Sequence, residues 1–294
     1  MALVQNEDWN PIQSKLQSVL STPSSTINDL GYNTTYSSAQ VADLQRVTGA
    51  QWNALRADVN KAYTLQTGAS SDLTTRDSSY LVTSTDLATM SARVDTAYNN
   101  RGNVSTGQLT YIAGPSYANI GGAWNGVLTP LGSVSITWAD NNAYRGFWNG
   151  GGRLYFTGSR SGGDGTSQNA TWTNLLANMG TIVLTRTSMF QSGNAWGGTF
   201  YNNWNTSGVY GAGNTGATEA FRIYSPESPY TPNYVQIYLW HNNNDVKLRT
   251  AITMTVYYVD DHAGIAGGPD YVNGNTYSNV GIYFPFTQTR PNNY

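Results

Sequence analysis

"AYRGFWNGGGRLYFTGSRSGGDG", Ala143 to Gly165, gathers three consecutive glycines, three arginines and five aromatic rings. A phosphate-cradling loop would need its glycines followed by Lys and then Ser or Thr, with a helix behind to aim backbone amides at the anion. Here the glycines lead into Arg153, Leu154, Tyr155 and Phe156, a strand-like run. The spacing predicts a hairpin instead: strand Tyr144–Trp148, a turn at Asn149 and the glycines, then strand Arg153–Ser159. "SRSGGDG" offers the single carboxylate of Asp164, too few for a Ca²⁺ site that takes six to eight oxygens, and reads as a second turn.

Strand grammar continues on both sides. "SVSITWAD" alternates Val134, Ile136 and Trp138 on one face, and "YVQIYLW" sets Val235, Ile237 and Leu239 against Gln236, Tyr238 and Trp240. "TIVLTRTSMF" and "AITMTVYYVDD" are further β-branched and aromatic runs between Gly, Asn and Pro. "ATWTNLLANMG" is the one short helix candidate among them. Many short strands joined by turn chemistry argue for an antiparallel, jelly-roll-like β-sandwich from about residue 108 to 294.

Residues 1–107 follow a different period. "DWNPIQSKLQSVL" places Asn10 as cap and Pro11 as first helical residue, with Ile12, Leu16, Val19 and Leu20 in a stripe. "TGAQWNALRADVNKAYTLQTG" opens on a Thr48–Gln51 capping box and stops at Gly68. Its apolar face is Trp52, Leu55, Val59 and Tyr63, with Ala62. "STDLATMSARVDTAYNNRG" starts at Ser84 or Thr85 and carries Leu87, Met90, Val94 and Tyr98. The endings "DVNKAY" and "RVDTAY" hint at an internal repeat. Helices of this length need a partner to persist. That partner is either a bundle of their own or another protein, with Trp52, Leu55, Val59 and Tyr63 as a docking face. The expected class is α+β, a helical assembly segment (1–107) followed by a β-sandwich (108–294).

Composition narrows the chemistry. Charged residues are 11% of the chain and the net charge is −2, with Lys and Arg scattered. No pull toward nucleic acid is expected. With no cysteine there is no disulfide, thiol nucleophile or Cys-ligated metal. No apolar run is long enough to span a membrane, and the first residues lack the character of a signal peptide. "VDDHAG" brings Asp260, Asp261 and His262 together, but the other histidine, His241, stands alone in "LWHNNND". Neither a zinc site nor a Ser-His-Asp context is present. A glycan hydrolase would need two convergent carboxylates, and Asp164, Asp260, Asp261 and Asp270 do not form a recognisable pair. No enzyme activity, metal or cofactor is expected.

The segment "SGNAWGGTFYNNWNTSGVYGAGNTG" presents Trp196, Phe200, Tyr201, Trp204 and Tyr210 among Gly and Asn. Such rings suit a subunit interface, a sugar-stacking surface or simple inward packing.

The blocks "FWNGGGRLYFTGSRSGG" and "QNATWTNLL", with "DWNPIQSKLQSVL" and "VTGAQWNALRADVNKAYTLQTG", resemble a family of virion structural proteins of tailed phages, in particular of T4-like cyanophages and related marine myophages. The resemblance spans most of the chain. It implies a non-enzymatic component of the tail, neck, baseplate or fibre apparatus, made and assembled in the host cytoplasm and residing in the virion. Collagen-like repeats and long heptads are missing, which favours a globular piece over a fibrous shaft. The expected partners are copies of itself, as a trimer or higher ring, and neighbouring virion proteins. The alternatives are an adhesin for a host surface glycan and a capsid decoration protein.

Overall fold

A Thr side chain that closes on the backbone three residues later starts two of the N-terminal helices. Thr48 and Gln51 exchange bonds at the head of a helix over Gly49–Thr67, and Thr83 and Asp86 do so before Ser84–Asn99. The computed structural model describes residues 4–21, 30–43, 45–105, 109–211, 215–262 and 271–285, with 109–119 and 284–285 by backbone alone. The chain divides into two compact units, one holding residues up to Thr110 together with Arg145–Gly151, the other Tyr111–Tyr144 and Gly152–Tyr283. Residues 106–108, where the change of grammar is expected, lie outside the described residues.

The first unit packs three helices, α1 (Asn6–Leu20), α2 (Gly49–Thr67) and α3 (Ser84–Asn99). Gly68 ends α2 in the left-handed conformation. α1 begins a turn earlier than Asn10 and Pro11 suggested, so Pro11 lies inside it. Asn10 is instead spent on tertiary structure: its side chain accepts from the Val41 N–H at 2.8 Å and donates to the Val41 carbonyl at 3.0 Å. The repeated endings have a common cause. Val59 and Val94, and Ala62 and Ala97, are all fully buried in one core, with Tyr63 and Tyr98 packed at its margin. Asp58 is buried too, accepting from the Ser37 and Ser38 N–H groups at 2.7–3.0 Å and so holding the preceding loop to α2.

Asp86 is the first unit's electrostatic hinge-pin. Burial acts to raise its pKa. Bonds from the Thr83 N–H and hydroxyl, Arg76 and Tyr80 outweigh that and hold the carboxyl at about 2. A carboxylate depressed in the folded state stabilises fully above its unfolded pKa and loses that contribution as pH falls through the folded value. Melting of the helical unit should therefore be flat in this respect above about pH 4 and lose about 2 kcal/mol between pH 4 and pH 2. Asp86→Asn should remove that acid limb and cost a similar amount at neutral pH. An unchanged acid limb in the variant would contradict the assignment.

The second unit is built on two antiparallel sheets. One runs in the order β1 (Leu109–Gly121), β11 (Asn275–Pro285), β4 (Arg153–Ser161), β5 (Thr181–Leu184), β6 (Met189–Ser192). The other runs β2 (Gly126–Leu128), β10 (Ala251–Asp260), β9 (Tyr234–His241), β8 (Thr218–Tyr224), β7 (Thr199–Phe200), with β3 (Ser133–Thr137) also on β10. The sheets meet where Tyr258 of β10 hydrogen-bonds Ser278 of β11 at 2.5 Å. α5 (Ser167–Met179), capped by Thr166, buries Gln168, Trp172, Leu175, Leu176 and Met179 on one stripe. Trp172 meets Trp124 edge-on at 4.9 Å and lies 5.9 Å from Tyr258.

The expected hairpin at Tyr144–Ser159 is half right. Arg153–Ser161 is a strand, but Tyr144–Trp148 belongs to a helix, α4 (Asn141–Asn149). Asp140 decides this by accepting from the Ala143 N–H at 2.8 Å, as an N-cap does. Tyr144, Phe147 and Trp148 then fall at helical spacing and are all buried. The glycine turn that follows needs its glycines. Gly151 has φ 88°, and a Cβ there would come within 2.6 Å of Val104.

Candidate functional site

The two residue sets expected to face partners are largely used inside their own units. Trp52, Leu55 and Val59 are fully buried among α1, α2 and α3, and Tyr63 packs partly buried against them. The stripe that reads as a docking face is the bundle's own core, because three helices close on one another.

The aromatic segment after Asn194 is likewise folded inward rather than left as a loop. A short helix, α6 (Trp204–Gly211), kinks at Gly208 and turns Val209 and Tyr210 into the interior. Trp204 is 1% exposed, its ring 5.5 Å from that of His241. Phe200 packs on Phe221 at 5.0 Å. Trp196 and Tyr201 are half-buried. Gln191 fastens the Trp196 segment, donating to its carbonyl at 3.1 Å and accepting from the Gly198 N–H at 2.7 Å.

The acidic residues do not converge into chemistry. Asp260 is buried and accepts from Gln168 at 2.5 Å. The N–H groups of Asp261 and His262 both donate to Asn233 at 3.0 Å, and the His262 ring lies 4.8 Å from Tyr230. Asp164 is tied into a knot with Asn169 and Asn273, at 2.6 and 3.1 Å, which fixes the "SGGDG" loop against α5. Burial raises its pKa, but those bonds and the Thr166 N–H bring it below the usual carboxylate value. Asp270 lies outside the described residues. Among the described residues no three His, Cys, Asp or Glu come together as a metal site, and no helix is long and apolar enough to cross a membrane.

What the structure does build is one face of the six-stranded sheet. Side chains alternate across a strand, so the registers divide this sheet into two surfaces. One holds Ile136, Met254, Val256, Ile237 and Leu239 and is buried. The other is a grid of rings and short polar groups. Its first row pairs Val127 with Val259, then Tyr234, then Tyr224. The second runs Tyr257, Gln236, Arg222. The third runs Ser133, Thr255, Tyr238, Glu219, and the fourth Ser135, Thr253, Trp240. Tyr224 is 47% exposed and Val127 62%. Tyr234, Tyr238, Trp240 and Tyr257 are half-buried, and the Tyr224 and Tyr234 rings lie 5.2 Å apart.

This face is internally locked. Arg222 grips Glu219 with two parallel bonds of 2.7 and 2.9 Å and donates a third to the Tyr224 hydroxyl at 2.8 Å. Its guanidinium lies 4.7 Å from the Tyr234 ring centre and 5.7 Å from that of Tyr224. Burial works against the charge, but the bonds to Tyr224 and Glu219 prevail and its pKa rises above the ordinary arginine value. Gln236 donates to the Tyr238 hydroxyl at 3.1 Å, and Tyr238 meets Tyr257 edge-on at 5.5 Å. Ser133 and Thr255 share a bond at 2.8 Å, and Thr253 donates to Ser135 at 3.1 Å. The signal lay in "YVQIYLW": the residues opposite Val235, Ile237 and Leu239 are Gln and rings, not the charges of an ordinary solvated face.

Compared with known proteins, the chain matches no family model, no curated protein and no solved structure.

Proposed function

We propose that this chain is a non-catalytic structural component of a tailed-phage virion, of the tail, neck, baseplate or fibre apparatus. In this reading it assembles in the host cytoplasm with copies of itself and with neighbouring virion proteins, and its β unit carries an adhesive surface. The observation that supports this reading most is the tyrosine face. It is large and rigid, its own charges cancel, and it has the Tyr, Trp and Arg content of recognition surfaces. Nothing on it resembles a nucleophile with its base or a carboxylate pair. The sequence resemblance to phage virion proteins supports the same reading from a separate direction.

The test is incorporation. Gradient-purified particles from cells that express the chain should contain it in stoichiometric amount by quantitative mass spectrometry, and antibody to it should decorate one defined part of the particle. Its exclusion from particles, with the chain left free in the lysate, would refute the proposal.

A further inference from the structure

We infer that the tyrosine face of the six-stranded sheet is a binding site for an uncharged, pyranose-based glycan. This rests on the reading of that face as adhesive and commits it to one ligand chemistry.

Charge comes first. On the strands, the charged side chains of this face are Arg222 and Glu219, and they neutralise each other through two short bonds. Asp261, exposed directly after the end of β10, adds one negative charge at the margin of the sheet. A polyanion such as nucleic acid or an acidic polysaccharide gains nothing there and meets repulsion from Asp261. An uncharged ligand gives up no counter-ion and meets no penalty.

Polarity comes second. Beside the rings stand Thr253 and, on the neighbouring strand, the exposed Ser133 and Ser135, while Gln236 and Thr255 lie buried beneath them. An apolar protein surface laid across them would strip their water and return no hydrogen bonds. A sugar chain carries a hydroxyl on nearly every carbon and can replace that water group for group. Its C–H faces carry partial positive charge and suit the negative face of a Tyr or Trp ring. Tyr234 and Tyr238 stand on β9 with Tyr257 of β10 at the level between them, so the rings follow one another along the strand direction in two-residue steps of about 7 Å, and a glycan laid along β9 passes over all three.

Rigidity comes third. Arg222 is fixed by Glu219 and Tyr224, Gln236 is fixed to Tyr238, and Tyr238 packs on Tyr257. Side chains already ordered lose little freedom on binding, which is the main obstacle for a weak, shallow site.

The probe is a set of soluble neutral tetrasaccharides, of gluco, manno and galacto type, mixed with the full-length chain and followed by saturation-transfer NMR. Polygalacturonate serves as the acidic comparison. At least one neutral sugar should receive magnetisation at its ring C–H protons, with binding in the range of about 1 mM or tighter. Tyr234→Ser and Trp240→Ser should each weaken it about tenfold, while Phe190→Ser, on exposed β6 of the other sheet, should leave it unchanged. Circular dichroism melts serve to confirm that these variants fold; were Tyr234→Ser to unfold, Tyr257→Phe and Thr253→Val take its place, with a smaller loss expected.

Four results would overturn the inference: no transfer to any neutral sugar, transfer only to the acidic polymer, binding undiminished in the face variants, or a concentration-dependent dimer that the same variants dissolve. The last would make a second copy the occupant. Incorporation of the variants into particles reports separately on the structural role, so a failure of sugar binding leaves that proposal standing.

Discussion

Alanine in place of Gly208 is expected to destabilise the β unit by about 3–5 kcal/mol, the sum of backbone strain and overpacking. The position has φ 52° and ψ −148°, a region that side chains other than hydrogen hardly enter. A Cβ there would also lie 2.5 Å from the Ser188 nitrogen and 2.6 Å from the carbonyl oxygens of Thr185 and Arg186. All three are backbone atoms of the turn between β5 and β6, so no flexible side chain can move aside. In a unit of this size the thermal midpoint should fall by about 10 °C. Hydrogen exchange should quicken across β5 and β6 while the helices of the first unit are unaffected. A midpoint within about 2 °C of the parent would mean that the kink relaxes freely, contrary to this account.

The second large effect is expected at Arg249. It is 1% exposed and donates to three carbonyls: Asn243 at 3.0 Å, Asn244 at 3.2 Å and Val209 at 2.5 Å. Burial pushes its pKa below the ordinary arginine value, with Tyr144 and Tyr210 working the other way. Arg249→Met keeps most of the volume, removes a costly buried charge and leaves three carbonyls without their donor. Unmet acceptors cost about 1–3 kcal/mol each, and the recovered desolvation offsets part of it, for a net loss of about 3 kcal/mol. Arg249→Lys should fall between the parent and Met, since a point charge cannot fork to three oxygens. Because the Gly208 kink is what brings the Val209 carbonyl to Arg249, the double variant should lose less than the sum of the two. Urea unfolding followed by near-ultraviolet circular dichroism measures both; a change under about 0.5 kcal/mol for Arg249→Met would show that water replaces the guanidinium there.

Much of the fold was legible where local signals and tertiary packing agree. Thr48 with Gln51, Gly68, the helix candidate "ATWTNLLANMG" and the alternation in "SVSIT" each name an element the structure contains. Where they failed, a distant partner had claimed the residue. Asn10 looks like a cap, but the Val41 backbone uses it. Tyr144 and Trp148 look like alternating strand residues until Asp140 is seen to cap a helix. Trp204 looks like an exposed ring in a Gly-Asn loop, yet His241, 37 positions on, shares its pocket. The docking face was misjudged for a related reason: an apolar helical stripe is the same in sequence whether it meets its own bundle or another protein. The tyrosine face was visible only in part. Periodicity separates the two sides of a strand, but only the registers of β2, β3, β8, β9 and β10 assemble Tyr224, Tyr234, Tyr238, Trp240 and Tyr257 into one surface.

The order of strands in the five-stranded sheet also sets an order in time. β11 lies between β1 and β4, so two strands made early have no neighbour on that side until residues 275–285 leave the ribosome. The three helices of the first unit come from residues 6–99 and are made before β4. A growing chain therefore carries those helices ahead of a sheet with open edges, the state most prone to pairing with the wrong strand. The late arrival of β11 makes its insertion between β1 and β4, rather than the first collapse, the step that closes those edges.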